Sequence, residues 1–197
     1  VSVDIDAERT VDLSVGSVTS LNRRLHAAES GAWRITEPGG RHSIAVGLDA
    51  PLTVEVEGHV GYYCAGMNQL ATVRVAGSCG VGVAENMMSG EVTISGDASQ
   101  AAGASAHGGL LTIQGNAAAR CGISMKGVDI VVRGSVGHMS GFMAQSGRLV
   151  VCGDAGEALG DSIYEARVYV RGEVASLGAD CIAKELRDED RVEVAEL

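Results

Sequence analysis

The residues best able to do chemistry in this chain are five histidines, five cysteines and a scatter of carboxylates. Their spacing argues against a self-contained active site. His26, His42, His59, His107 and His138 contain no HxxxH pair, the spacing that lets two imidazoles on one helix face share a metal. Cys64, Cys79, Cys121, Cys152 and Cys181 include no CxxC and no cluster, so no metal or iron–sulfur ligand set is predicted. No GxSxG stands between a strand and a helix to present a nucleophilic serine. No GxGxxG opens a βαβ unit, and Gly80-Val81-Gly82 reads as a corner of a repeat rather than a phosphate loop. No catalytic, cofactor-binding or metal residue is predicted in this chain.

What dominates the sequence is positional. Gly58, Gly77, Gly96, Gly115, Gly134, Gly153 and Gly172 are each 19 residues apart. A fixed period over this many copies marks a solenoid. Four residues before each glycine stand Val54, Val73, Val92, Leu111, Ile130, Leu149 and Val168. Two before stand Val56, Val75, Ile94, Ile113, Val132, Val151 and Val170. Polar or mixed residues separate them, which is the period-2 pattern of a strand with one buried face. One residue after the glycine the column is polar: His59, Ser78, Asp97, Asn116, Ser135, Asp154, Glu173. Two after, it is apolar and mostly small: Val60, Cys79, Ala98, Ala117, Val136, Ala155, Val174. The chain is predicted to bend at each glycine, where positive φ favours that residue, and to begin a second short strand. A second bend is predicted at Ala65, Ala84, Gly103, Gly122, Gly141, Gly160 and Ala179, where only Ala or Gly occurs, as close contact between coils requires.

The predicted fold is all-β, a parallel β-helix of about seven 19-residue coils, at about 4.8 Å per coil. A 19-residue coil without a six-residue subperiod favours the right-handed form. Residues 52–175 form this β-helix. Residues 1–51 form an N-terminal cap with a strand at Val11, Leu13 and Val15. The cap also holds a short helix on Val18, Leu21, Leu25 and Ala28, N-capped by Ser17 or Thr19, and an extended stretch at Trp33 and Ile35. Ile44 and Val46 begin a partial coil. Residues 176–197 are a coil remnant and tail: Lys184–Asp190 is charged and exposed, and Val192–Leu197 alternates again, as a frayed tail or as an arm that docks on a partner.

The period also places the remaining candidates. Asp97 and Asp154 share the polar column but lie three coils apart, roughly 14 Å, too far for the paired carboxyls of an inverting glycosidase at about 6.5–9.5 Å. Cys64 and Cys121 are separated likewise, beyond the roughly 7 Å limit of a disulfide. Free thiols fit a reducing, cytoplasmic compartment. Met67, Met87, Met88, Met125 and Met143 recur at the second corner, as core filler or as a soft contact surface. Asn86, Ser105, Ser124 and Ser162 beside them are candidates for a hydrogen-bonded ladder. A net charge of −10 argues against nucleic acid as partner. No stretch of 18 apolar residues is present for a membrane span. The opening Val1-Ser2-Val3-Asp4-Ile5-Asp6 alternates and carries acids, unlike a secretory leader.

Repeated seven times, apolar-x-apolar-x-Gly-x-x-Gly followed by a small-residue corner resembles the GXGXG domain, the C-terminal right-handed β-helix of the glutamate synthase large subunit. The likeness covers about residues 40–180. It is clearest in Val56-Glu57-Gly58-His59-Val60-Gly61, in Ala76-Gly77-Ser78-Cys79-Gly80, and in Val151-Cys152-Gly153-Asp154-Ala155-Gly156 with Leu159-Gly160. Ser99, Ala118 and Ala175 replace the motif's second glycine, so slightly different corners are expected there. The strings Ala84–Gly90, Cys121–Gly127 and Asp161–Ala166 are similar to the small subunits of split enzymes of this type, including N-methylglutamate synthase. Formylmethanofuran dehydrogenase has a similar domain in one of its subunits. The resemblance implies a non-catalytic structural subunit within a hetero-oligomer. Its implied partners are a class II glutamine amidotransferase-like subunit and an FMN/iron–sulfur synthase subunit, which would carry the cofactors. A stand-alone polysaccharide-binding β-helix and a polymerising β-helix are the rival expectations; aromatic content of 3% counts against the former.

Overall fold

A computed structural model describes residues 9–197; the Val1–Asp6 alternation lies outside the described residues. The strands are β1 (Thr10–Asp12), β2 (Gly31–Thr36), β3 (Leu52–Glu57), β4 (Thr72–Val75), β5 (Glu91–Ile94), β6 (Leu110–Ile113), β7 (Lys126–Val132), β8 (Ser146–Val151) and β9 (Arg167–Val170). They form one sheet in sequence order, each pairing in parallel with the next. Two helices complete the described chain, α1 (Val18–His26) and α2 (Asp188–Ala195). The chain is a β-solenoid of about seven turns.

The 19-residue period is the pitch of the stack. Val54 pairs with Val73, then Val92, Leu111, Ile130, Leu149 and Val168 in one unbroken register. The column two residues after the glycine forms its own ladder of bridges, from Val60 to Cys79, Ala98, Ala117, Val136, Ala155 and Val174. Both columns point inward and are buried from β3 through β8. Side chains of like size therefore stack on like, and each coil buries its apolar face mainly against its two neighbours.

The two corners differ from expectation in an instructive way. Of the seven anchor glycines only Gly58 has a left-handed backbone, with φ of 132°. The left-handed residues sit at the second corner instead: Ala65 (53°), Ala84 (55°), Gly103 (66°), Gly122 (68°), Gly141 (68°) and Gly160 (65°). The anchor glycines are required for another reason. A Cβ on Gly77 would lie 2.6 Å from the carbonyl oxygen of Gly58, and one on Gly134 2.7 Å from that of Gly115. Glycine N–H groups also donate to the glycine carbonyl one coil earlier, as in Gly115 to Gly96 at 3.0 Å and Gly134 to Gly115 at 2.9 Å. The backbones touch here, and no side chain fits between them. Where Ser99, Ala118 and Ala175 replace the second glycine, the ladder bond is unchanged: each N–H still reaches the carbonyl one coil earlier at 2.9–3.0 Å, as it does at Gly80, Gly137 and Gly156.

The N-terminal end is closed. Ser17 caps α1 by accepting the Ser20 N–H, and Leu21 and Leu25 are fully buried. The predicted β1 strand stops short, because the chain turns after Asp12 and leaves Val15 exposed. β1 and β2 join the same sheet as the repeats, so this region extends the stack as well as covering it. The segment Ser43–Gly47 makes the predicted partial coil, bonding to Tyr62 and Gly66 of the next one. Side chains of α1 stand in for the coil that would precede it. Asn22 donates to the Ser43 carbonyl and accepts the Ala45 N–H, and His26 Nε2 lies 2.7 Å from the Val46 carbonyl.

The C-terminal tail is a helix, not the alternating segment predicted for Val192–Leu197. Asp188, Glu189 and Asp190 fill the first turn of α2, where carboxylates suit the helix dipole. The 3.6-residue period then sets Asp190 and Glu193 on one face, three residues apart. That face meets the sheet's outer wall, so Asp190 is buried rather than exposed. The tail docks on its own coils rather than fraying.

Candidate functional site

Several of the polar side chains hold neighbouring coils together. The polar column after each anchor glycine forms a continuous ladder. His59 Nδ1 accepts the Ser78 N–H at 2.9 Å. Ser78 Oγ accepts the Asp97 N–H at 3.1 Å, and Asp97 Oδ1 accepts the Asn116 N–H at 2.7 Å. Asn116 Oδ1, Ser135 Oγ and Asp154 Oδ1 continue to the N–H groups of Ser135, Asp154 and Glu173 at 2.9–3.0 Å. Every member lies one period from its partner. The ladder expected at Asn86, Ser105, Ser124 and Ser162 is thus found in the other column. The expected column holds left-handed residues whose backbone N–H groups, not side chains, bridge the coils. The sequence signal for the true ladder is the column itself: every residue from His59 to Glu173 can accept a hydrogen bond.

The cysteines divide by burial. Cys64, Cys79 and Cys121 are buried in the core, and Cys152 and Cys181 are partly exposed. Burial pushes the Cys64 and Cys121 thiols up to about 12. It pushes Cys79 up as well, helped by the nearby Cys64. Iodoacetamide at pH 8 is expected to alkylate at most Cys152 and Cys181 in the folded chain and all five after unfolding. Mass spectrometry of the native digest reads this directly; modification of Cys64 or Cys121 would contradict their placement.

The densest charged cluster is a clamp on the outer wall of β7–β9. Arg148 grips Asp129 with two bonds, at 2.7 and 2.6 Å, and its Nη1 reaches the Glu193 carbonyl at 3.3 Å. Arg167 pairs with Glu193 at 2.7 Å, and the Tyr169 hydroxyl donates to the same carboxylate at 3.2 Å. Arg187 binds Asp190 through its backbone N–H and its guanidinium, which holds that carboxyl down at about 2. A lowered carboxyl stabilises docking above the ordinary Asp value of about 4 and loses that contribution as pH falls towards 2. The Asp190 side-chain carboxyl carbon resonance is therefore expected to titrate with a midpoint well below pH 4 in an NMR experiment. A midpoint at or above pH 4 would refute the contact. Each arginine of the cluster already has a carboxylate, so the cluster fastens α2 rather than receiving an anion.

The methionines also split. Met87 and Met125 are fully buried, while Met67, Met88 and Met143 are about half exposed, at 47–49%. Tyr62, Tyr63 and Leu70 add exposed apolar surface near Met67. Buried core filler and exposed methionines are both present at the second corner. No described helix is long and apolar enough to cross a membrane. Among the described residues no three His, Cys, Asp or Glu side chains are placed to hold a metal ion.

Comparison with known proteins gives one local relationship. The chain is 61% identical over 62 residues to Protein GlxC of Rhizobium meliloti (strain 1021). The aligned part is 29% of this chain and 27% of that protein's length. No protein-family profile matches the chain, and no solved structure matches it. The seven anchor glycines stand in one column of a parallel β-solenoid, and from Gly77 onward that column marks backbone contact between coils.

Proposed function

We propose that this chain is a non-catalytic structural subunit of a multi-subunit glutamate-synthase-type enzyme, either glutamate synthase or N-methylglutamate synthase. In this reading it holds a class II glutamine amidotransferase-like subunit and an FMN/iron–sulfur synthase subunit in fixed relation. The observation that carries it is the repeated glycine motif, which resembles the GXGXG β-helix of glutamate synthase and here forms a stack whose polar column is committed to inter-coil bonds. The local likeness to Protein GlxC is compatible with this reading over less than a third of the sequence; that protein's name carries no activity. The physical role suits the fold. Backbone bonds running from coil to coil make a stiff rod, and a stiff rod fixes the separation of two sites between which a small nitrogen compound must pass.

Affinity purification of the tagged chain from its native cell, with mass spectrometry and a visible spectrum, tests the proposal. The expected result is a stable assembly containing both partners, with flavin and iron–sulfur absorbance. Recovery of the chain alone, or with an enzyme of unrelated class, would overturn it.

A further inference from the structure

The two ends of the stack are not alike. At the N-terminal end Asn22 and His26 of α1 satisfy the groups that a preceding coil would bond. At the C-terminal end the corner is covered, because Ser176, Gly178 and Ala179 bond to Leu159 and Ser162. On the strand side no further coil among the described residues completes the backbone bonds. Along the stack the carbonyls of Val56, Val75, Ile94, Ile113, Val132 and Val151 each accept an N–H from the next coil; Val170 is next in that series and has no donor among the described residues. The Gly172 carbonyl likewise lacks, among the described residues, the glycine N–H that reaches Gly77, Gly96, Gly115, Gly134 and Gly153. The Val174 N–H, whose counterparts in Val60 to Ala155 all donate forward, finds no carbonyl among the described residues. Glu173 ends the polar ladder, with no N–H of a further coil among the described residues to reach its carboxylate. Beside this edge lies a cleft of about 730 Å³ between β9, with Val168 and Val170, and the chain's own returning segment, with Leu177, Ile182 and Leu186. Leu177 and Ile182 are 42% and 71% exposed.

We infer that this end is a docking site for an extended segment of a partner chain, which adds to β9 as a further parallel strand. The inference rests on the structural-subunit reading above and names the surface through which it works. The stack itself specifies the occupant. Apolar residues must stand over Val168 and Val170, two apart. Two residues later a glycine must stand over Gly172, because a Cβ there would meet the Gly172 carbonyl as it would at the coils below. The residue before that glycine faces the exposed Arg171 and is acidic. The residue after it donates its N–H to Glu173. The partner segment therefore reads apolar-x-apolar-acidic-Gly. Strand addition to an open edge is a general mode of recognition in which backbone bonds give affinity and alternate side chains give selectivity.

A second copy of this chain is a poor occupant. Its first strand, in register through Val11–Ile35–Val56, would set Leu13 where glycine is needed and Arg9 where an apolar residue is needed. Two-fold pairing of β9 with β9 of a second copy, centred on Tyr169, would set Arg167 against Arg171, and like charges directly opposite are unfavourable.

The probe is a labelled synthetic peptide copying residues 52–61 of this chain, Leu-Thr-Val-Glu-Val-Glu-Gly-His-Val-Gly, which carries the required pattern. Fluorescence anisotropy against the full chain is expected to show saturable binding. The same peptide carrying Gly58→Val is expected to bind at least about tenfold more weakly, as is the unaltered peptide to a Val170→Asp chain. Glu173→Lys, an exposed change that leaves the core intact, should weaken binding severalfold and guards against misfolding of Val170→Asp. No saturable binding, equal binding of the valine peptide, or indifference to Glu173→Lys would overturn the inference. So would a concentration-dependent dimer in sedimentation that Glu173→Lys abolishes, because the occupant would then be a second copy. Failure to recover partners from the native cell would reject the proposed enzyme but leave the peptide result to decide the edge.

Discussion

Gly115→Val is expected to destabilise the stack by about 3 kcal/mol or more, whereas His59→Val should cost about 1 kcal/mol or less. At Gly115 the new Cβ would stand 2.8 Å from the Gly96 carbonyl oxygen and on the Asp97 carboxylate. Neither neighbour can retreat cheaply. The Gly96 carbonyl holds the Gly115 N–H at 3.0 Å, and Asp97 Oδ1 holds the Asn116 N–H at 2.7 Å. Relief of the clash breaks bonds in two columns at once. His59 is exposed at the start of its ladder, and its loss frees only the Ser78 N–H, which water can serve. Urea midpoints of the two variants read the difference. Equal midpoints would show that the glycine column is not a line of backbone contact.

Leu111→Ala is expected to cost about 2–5 kcal/mol, through lost burial and a cavity that the stack cannot close. Leu111 is fully buried and stacked between Val92 and Ile130 in strict register. Its Cδ2 also reaches across the coil: a Cβ on Gly103 would lie 3.2 Å from it. Collapse is opposed because moving one coil inward would pull its hydrogen bonds from both neighbours. Since a solenoid couples mainly nearest neighbours, the loss should be local. Amide exchange should accelerate in β5–β7 and change least in α1 and β2. Uniform acceleration along the chain would contradict nearest-neighbour coupling.

These variants probe what is legible in the sequence and what is hidden from it. The inward columns can be read directly, because Val54 to Val168 and Val60 to Val174 repeat at the pitch of the stack and the alternation admits one buried face. The position of both corners can be read as well. Their causes are exchanged: left-handed φ falls at Ala65 to Gly160, and backbone contact at Gly77 to Gly172. Composition alone favours Gly for either cause, so only coordinates separate them. The ladder from His59 to Glu173 is visible as a polar column. A strand pattern leaves it looking solvated, because the pattern does not say whether an exposed acceptor faces a neighbour's N–H. α2 is hidden by its own side chains. Val192 and Val194 imitate a strand, while the interactions that fix the helix are the acidic first turn and the reach of Asp190 and Glu193 to Arg187 and Arg167. The contact from Glu193 to Arg167 joins residues more than twenty positions apart and has no period to betray it.

Part of the reactive inventory takes part in packing and in bonds between coils. Three thiols are sealed in the core, and Asp97 and Asp154 of the polar column receive backbone N–H groups. Arg148 and Arg167 of the outer wall are tied to Asp129 and to α2. The strand edge at β9 and the exposed Met67 and Met88 are among the surfaces left open.

Reconstitution of the proposed assembly with and without this chain tests the proposed structural role most directly, with glutamine hydrolysis, the synthase half-reaction and the coupled reaction each followed. Glutamine hydrolysis and the synthase half-reaction should proceed without the chain, and the coupled reaction should fall and return when the chain is restored. Loss of a half-reaction while its own subunit remains folded and cofactor-loaded would mean that this chain supplies reacting groups, and would contradict the account.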